Sequence, residues 1–240
     1  MPTATPRTRA KLRRAAATAL APEIPTEPIW RITVDQYDEM IRAGILTADD
    51  PVELLEGWLV QKMPKNDPHI LAGKLLRHEL ELLTPAGWHV TTQDPIRLSD
   101  SQPGPDVSIV RGSPRDFGTS KPTPEFIGLV VEVSDSSLEK DRVRKKTMYA
   151  RERIELYWVV NLSERMIEVF SEPTGATKRP DFRQHQTFSE KQRVPVVSQR
   201  QESRFNSSCG CVAVTDCGAR GSRASDFKSV FNESCFQPCT

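Results

Sequence analysis

Two acids, Asp106 and Glu132, stand in stretches that otherwise read as buried strand. The run 126–133 is apolar apart from Gly128 and Glu132 and does not alternate, the pattern of a strand covered on both faces. A carboxylate there is costly unless it is paired or holds a metal ion. Asp106 opens a similar run, 107–110, directly after Pro103-Gly104-Pro105. A basic helical stretch follows the Glu132 strand and brings Lys145. Two acids at strand ends with a lysine beside them form a hard-oxygen site next to a cation. Such a site suits Mg²⁺ and a phosphate. A structural network of the same acids with Arg or Lys is the alternative.

The elements that must hold these groups follow from pattern. Thr33-Val34-Asp35-Gln36 is a capping box, and Val34, Tyr37, Met40 and Ile41 continue at helical spacing to a stop near Gly44. Residues 52–55 and 58–63 read as strands, with Glu56-Gly57 as a two-residue hairpin turn. Glu53 lies on the first, and spacing alone makes it an exposed residue of an edge strand. Asp67-Pro68 reads as a helix cap followed by proline at the first helical position. That helix is expected to reach about Leu83, with Leu71, Leu75, Leu82 and their neighbours on its apolar face. His69, in its first turn, reads as a hydrogen-bonded surface group.

Strands are expected at 88–92, 95–98, 125–134, 156–160 and 166–170, a helix at 137–152, and a last strand at 194–197. The sum is a mixed sheet with helices, α/β or α+β. Along the helix at 137–152, a 3.6-residue period aligns Leu138, Arg142, Lys145 and Tyr149. Lys145 should then face the acids, and Lys146 should face solvent or a polyanion.

The chain has 240 residues and a formal net charge of +1, so one domain is expected and bulk charge says nothing about nucleic acid. No apolar run approaches a membrane span, so no membrane contact is expected. The four histidines form no metal-binding pair, which disfavours a zinc hydrolase. A Walker-type loop and a Gly-x-Ser-x-Gly elbow are both missing. Residues 1–28 read as a disordered basic tail, with a transit peptide as the other reading of that composition. All five cysteines fall at or after Cys209. Residues 198–240 read as an irregular Cys/Ser-rich tail, from a frameshift or an unrelated extension; a zinc knuckle there fits no standard spacing.

Several segments together resemble a restriction endonuclease family, formerly a domain of unknown function, in the PD-(D/E)XK superfamily. They are VELLEGWLV (52–60), PHILAGKLLRHEL (68–80), TTQDPIRL (91–98), PGPDVSIVRG (103–112), GLVVEVSDSSLEKDRVRKKTMYA (128–150), YWVVN (157–161) and IEVF (167–170). The resemblance covers residues 29–197. It implies a restriction-endonuclease-like core, a mixed sheet with flanking helices and the acids on adjacent strands. Asp106 matches the aspartate of the PD motif, Glu132 the second acid, and Glu53 an upstream glutamate. Ser134 stands where the superfamily lysine usually follows, and Lys145 matches a lysine moved to the next helix. His69 and Gln93 match positions near the cleft. The chain departs from the family at Arg153, Leu156 and Asn161, and in its ending.

The expected activity is therefore metal-dependent hydrolysis of phosphodiester bonds in DNA. Mg²⁺, or Mn²⁺, would sit on Asp106, Glu132 and the Val133 carbonyl. Arg142, Arg144 and Lys146 would track the nucleic-acid backbone. A homodimer and a cytoplasmic location are further expectations. The rivals are a nuclease-like module that binds nucleic acid or protein without cutting, and a damaged gene product that folds poorly.

Overall fold

The computed structural model describes residues 27–47, 49–135, 137–190 and 192–196, with the backbone of 211–213. The chain divides into two units, Met1–Trp30 and Arg31–Thr240, and every element below lies in the second. Helix α1 (Val34–Arg42) starts on the expected capping box: the Thr33 hydroxyl accepts from the Gln36 backbone, and Gln36 reaches back to the Thr33 N–H. Strands β1 (Val52–Leu55) and β2 (Trp58–Gln61) form the expected hairpin. Glu56 and Gly57 take φ of 52° and 79°, as a tight two-residue turn requires. Helix α2 (Asp67–Leu83) follows, with Asn66 rather than Asp67 as its cap.

A six-stranded sheet has the order β3-β4-β5-β6-β7-β8. Its strands are β3 (Trp88–Thr91), β4 (Val107–Arg111), β5 (Ile127–Ser134), β6 (Leu156–Asn161), β7 (Met166–Pro173) and β8 (Phe182–Ser189). The β5–β6 pair is parallel and the other pairs are antiparallel. Between β4 and β5 lies the short helix α3 (Pro114–Phe117). Between β5 and β6 runs a π-helical stretch, Lys140–Lys145, continuing into α4 (Lys146–Arg151). A helical crossover is what a parallel pair needs. The fold is thus a mixed α+β sheet with flanking helices.

Side chains alternate across the central strands and build two cores. Val107, Ile109, Leu129, Val131, Val133, Trp158 and Val160 pack toward Ala72, Leu76 and Leu80 of α2. Val110, Val130, Tyr157, Val159 and Phe170 pack on the opposite side with Met148 and Tyr149 of α4. Leu76 and Leu80 are fully buried, each worth about 1.5–3 kcal/mol. Even-numbered residues of β5 face the α4 side, so Glu132 and Ser134 point the same way as Val130.

Four expectations need correction. The buried stripe of α2 is Ala72, Leu76 and Leu80, while Leu82 is exposed, because the sheet meets the helix one residue further round. Residues 95–98 are not a strand: Ile96 and Leu98 are buried, but their N–H groups bond Pro103 and Ser101 within a local loop. Strand β8 was not expected at all. Only Phe182 of it is buried, with Phe188 partly buried near its end, and the exposed polar residues between them fit the edge position it holds in the sheet. The helix at 137–152 winds as a π-helix through 140–145, which changes the residues that face the sheet.

Strand β9 (Arg193–Pro195) pairs with β10 (Cys211–Ala213). A short regular strand therefore lies within the segment expected to be irregular. The rest of that tail, and residues 1–26, lie outside the described residues.

Candidate active site

Register brings the two acids together. Val107 pairs with Val131 and Ser108 with Val130, so one further step sets Asp106 opposite Glu132 on the same face. Asp106 Oδ2 accepts the Val133 N–H at 2.8 Å, which fixes the carboxylate against β5. The turn before it depends on Gly104, where a Cβ would press on the Gln93 carbonyl at 3.2 Å. Gln93, itself at φ 62°, donates its N–H to Pro105. The β1–β2 hairpin docks on the same loop through Gln102 N–H to Leu54 O and Gly57 N–H to Asp100 O.

One cleft of about 160 Å³ is lined by Glu53, His69, Gln93, Asp106, Glu132, Val133 and Lys145. All of the expected catalytic, metal-binding and cleft residues therefore meet in one place. Glu53 is buried, 4% exposed, so the edge-strand reading from spacing does not hold. The cleft also gathers Lys62, Lys65 and Lys140, which the spacing argument passed over. Arg142, Arg144 and Lys146 are not brought to the cleft lining. Arg142 pairs with Glu164 and Glu168, Arg144 with Glu56, and Lys146 with Asp181.

Each acid has a cation. Lys65 Nζ donates to Asp106 Oδ1 at 2.6 Å, and His69 Nε2 lies 3.1 Å from Oδ2. Lys140 Nζ donates to Glu53 at 2.7 Å. Lys145 Nζ and the Tyr149 hydroxyl both donate to Glu132 Oε1, each at 2.8 Å. Burial alone would push Asp106 up; hydrogen bonds and charge from His69 and Lys65 overcome it and hold the carboxyl at about 2. Glu53 is lowered likewise, with Lys145 and Lys140 outweighing burial. For Glu132 burial wins, helped by the charges of Asp141 and Asp106, and raises it to about 8 despite Lys145. Burial would lower Lys145, but Glu132, Glu53 and Asp141 hold its ammonium well above the ordinary lysine value.

A depressed carboxyl stabilises the fold above its unfolded value and loses that contribution as pH falls through its folded one. Asp106 drops from 3.8 to about 2, equivalent to about 2 kcal/mol. We expect Asp106→Asn to be less stable than the native chain by about 2 kcal/mol at pH 5 and above, with the difference closing as pH falls from about 4 to about 2. Equal stabilities at pH 5, or a difference that does not narrow between pH 4 and pH 2, would contradict this.

Among the described residues, no three His, Cys, Asp or Glu groups converge closely enough to hold a metal ion as they stand. The donors nevertheless fit a hard divalent ion in kind. Two carboxylates sit opposite each other on adjacent strands, and each is already balanced by an ammonium that an ion could displace. An oxygen-rich cleft holding five acids and four lysines can bind a cation and a phosphate together.

No curated protein matches the chain. A solved structure from Anabaena variabilis, described as "a putative nuclease belonging to DUF820", matches with a TM-score of 0.52. It shares 17% identity, over 68% of this chain and 88% of that one, a likeness of fold alone. The family model Uma2, described as "Putative restriction endonuclease", matches residues 34–201, a span that includes every residue of the acid cleft. The chain belongs to that family.

Proposed function

We infer that the protein is a metal-dependent endonuclease that hydrolyses phosphodiester bonds in DNA. The observation that carries this is the convergence of Asp106 and Glu132, opposite one another on adjacent strands, with Lys145 on Glu132. Asp106, Glu132 and the Val133 carbonyl would hold Mg²⁺ or Mn²⁺, with Glu53 beside them. When bound, the ion supplies a Lewis acid and a water of lowered pKa. Tyr149 fixes the orientation of Glu132 through its hydroxyl. Lys145 carries a full charge in a buried setting, where it stabilises negative charge growing on a phosphate oxygen. Lys62, Lys65 and Lys140 stand at the rim and take the role of phosphate contacts in place of Arg142, Arg144 and Lys146. His69 steadies Asp106.

The second reading is a module that binds without cutting. It draws on the lysines, which pair with Asp106, Glu53 and Glu132 with no ion present. The deciding experiment incubates plasmid and single-stranded DNA with the protein in Mg²⁺, Mn²⁺ or chelator, beside Asp106→Ala. Cleavage only with metal, and none by the variant, is the expected result. DNA binding that ignores metal, with no cleavage in any condition, would establish the module instead.

A further inference from the structure

The site holds a buried acid that neither the family motif nor the expected chemistry uses. Asp141 is 2% exposed and lines the cleft beside Lys145. Its Oδ2 accepts from Ser134 Oγ at 2.7 Å and from Ser137 Oγ at 2.6 Å. Its Oδ1 faces Lys145 Nζ at 3.6 Å. Tyr157 donates to the Asp141 carbonyl at 3.0 Å and so pins the backbone as well. Ser134 occupies the strand position two beyond Glu132, on the same face. That position, empty of a lysine, is linked through Asp141 to the lysine that sits on the helix.

The winding explains why Asp141 reaches in. A π turn takes about 4.4 residues, so four residues fall about 30° short of a turn. An α turn takes 3.6, so four residues overshoot by about 40°. The step from Asp141 to Lys145 runs through the π stretch, and the step from Lys145 to Tyr149 runs through α4. The two offsets nearly cancel, and Asp141, Lys145 and Tyr149 share one line. In a plain α-helix Asp141 and Tyr149 would diverge by about 80°. The π stretch thus aims an acid, a lysine and a phenol at Glu132 together. Single π turns often occur at functional sites.

We propose that Asp141 is a positioning residue: tethered by Ser134 and Ser137, it holds Lys145 at the distance from Glu132 that phosphodiester cleavage needs. This deepens the nuclease reading and rests on it. Asp141 touches no reacting atom in this role. It fixes an otherwise flexible four-carbon side chain by a second carboxylate contact beside the one to Glu132. A displacement of about 1 Å in such a group can cost on the order of 10²-fold in rate.

The test compares Asp141→Asn, Ser134→Ala and their combination. Single-turnover cleavage is measured in Mg²⁺, DNA affinity in Ca²⁺, Mg²⁺ affinity by calorimetry, and stability by melting. Asp141→Asn should slow cleavage about 100-fold while both affinities hold. Ser134→Ala should slow it about tenfold alone and no further on the Asp141→Asn background, because both act through one lysine. Multiplicative losses would overturn the proposal, as would an unchanged rate. A matching loss of Mg²⁺ affinity would place Asp141 on the ion and also overturn it. If Asp141→Asn does not fold, the double variant Ser134→Ala with Ser137→Ala keeps the acid but frees it, and it should lose rate with affinity intact. If the native chain cuts nothing, the nuclease reading fails. The Asp141–Lys145 link is then read from melting of Asp141→Asn, Lys145→Met and the double variant, where additive shifts overturn it.

Discussion

Lys145→Met should cut DNA at least about 10²–10³-fold more slowly than the native chain, the loss typical of removing one preorganised charge stabiliser. Lys145 is buried between Glu132 and Asp141, so its removal also leaves acids facing one another without their cation. Breaking a buried pair costs about 3–5 kcal/mol. Glu132, raised to about 8, already holds its proton at neutral pH, which keeps that cost toward the lower figure. A loss of about 3 kcal/mol lowers the melting temperature by roughly 6–12 °C in a chain of this size. Mg²⁺ should return part of that stability, since an ion on Asp106 and Glu132 replaces the missing positive charge. Lys146→Ala is the control one residue away. Its ammonium meets the half-exposed Asp181 at 2.9 Å and lies over the Phe170 ring. Contacts of that kind are worth up to about 1 kcal/mol each, and none involves the cleft. Cleavage should be unchanged. A variant pair with the opposite pattern, dead at 146 and active at 145, would remove Lys145 from the site.

The contrast between these neighbours shows how far sequence reached. The acids were legible because a carboxylate in an unbroken apolar strand has no cheap explanation. The strand itself, the hairpin and the capping box at Thr33 were legible from local pattern, which their backbones obey. The 3.6-residue period points Lys145 inward, where it lies buried, yet that period does not hold there. The 3.6-residue period also brought Arg142 inward, where the π winding brings Asp141 and sends Arg142 to Glu164 and Glu168. Nothing in local composition announces a π turn. Spacing makes Glu53 exposed because it treats the strand alone, without Lys140 arriving from 87 residues away. Lys65 escaped for the same reason: a basic residue in a short loop carries no period. A lysine just before a capped helix that also carries His69 was the only available hint. Strand β8 failed differently. An edge strand exposed on most of its length lacks the apolar pattern that identifies a strand.

The affinity of the site for Mg²⁺ should depend steeply on pH, with Glu132 as the cause. Burial and the charges of Asp141 and Asp106 raise its carboxyl from 4.5 to about 8, against the pull of Lys145. Below that value the ion must displace a proton to gain the carboxylate, so apparent affinity falls about tenfold per pH unit. Between pH 8 and pH 6 the dissociation constant should rise about 100-fold. Asp106 adds nothing in this window, because at about 2 it is ionised throughout. The stability effect has the same origin. A carboxyl raised on folding contributes fully below its unfolded value, and that contribution is lost as pH rises through its folded one. The metal-free protein should therefore become less stable from about pH 4.5 to pH 8 on account of Glu132. The rise in melting temperature produced by Mg²⁺ should grow across the same interval. Calorimetry in two buffers of different ionisation heat counts the released protons directly: close to one at pH 6.5 and close to none at pH 9. Glu132→Gln should abolish both the proton release and the tight binding. A dissociation constant that stays flat from pH 6 to pH 8, with no proton released, would remove Glu132 from the ion's coordination and leave the ion to Asp106 and Glu53.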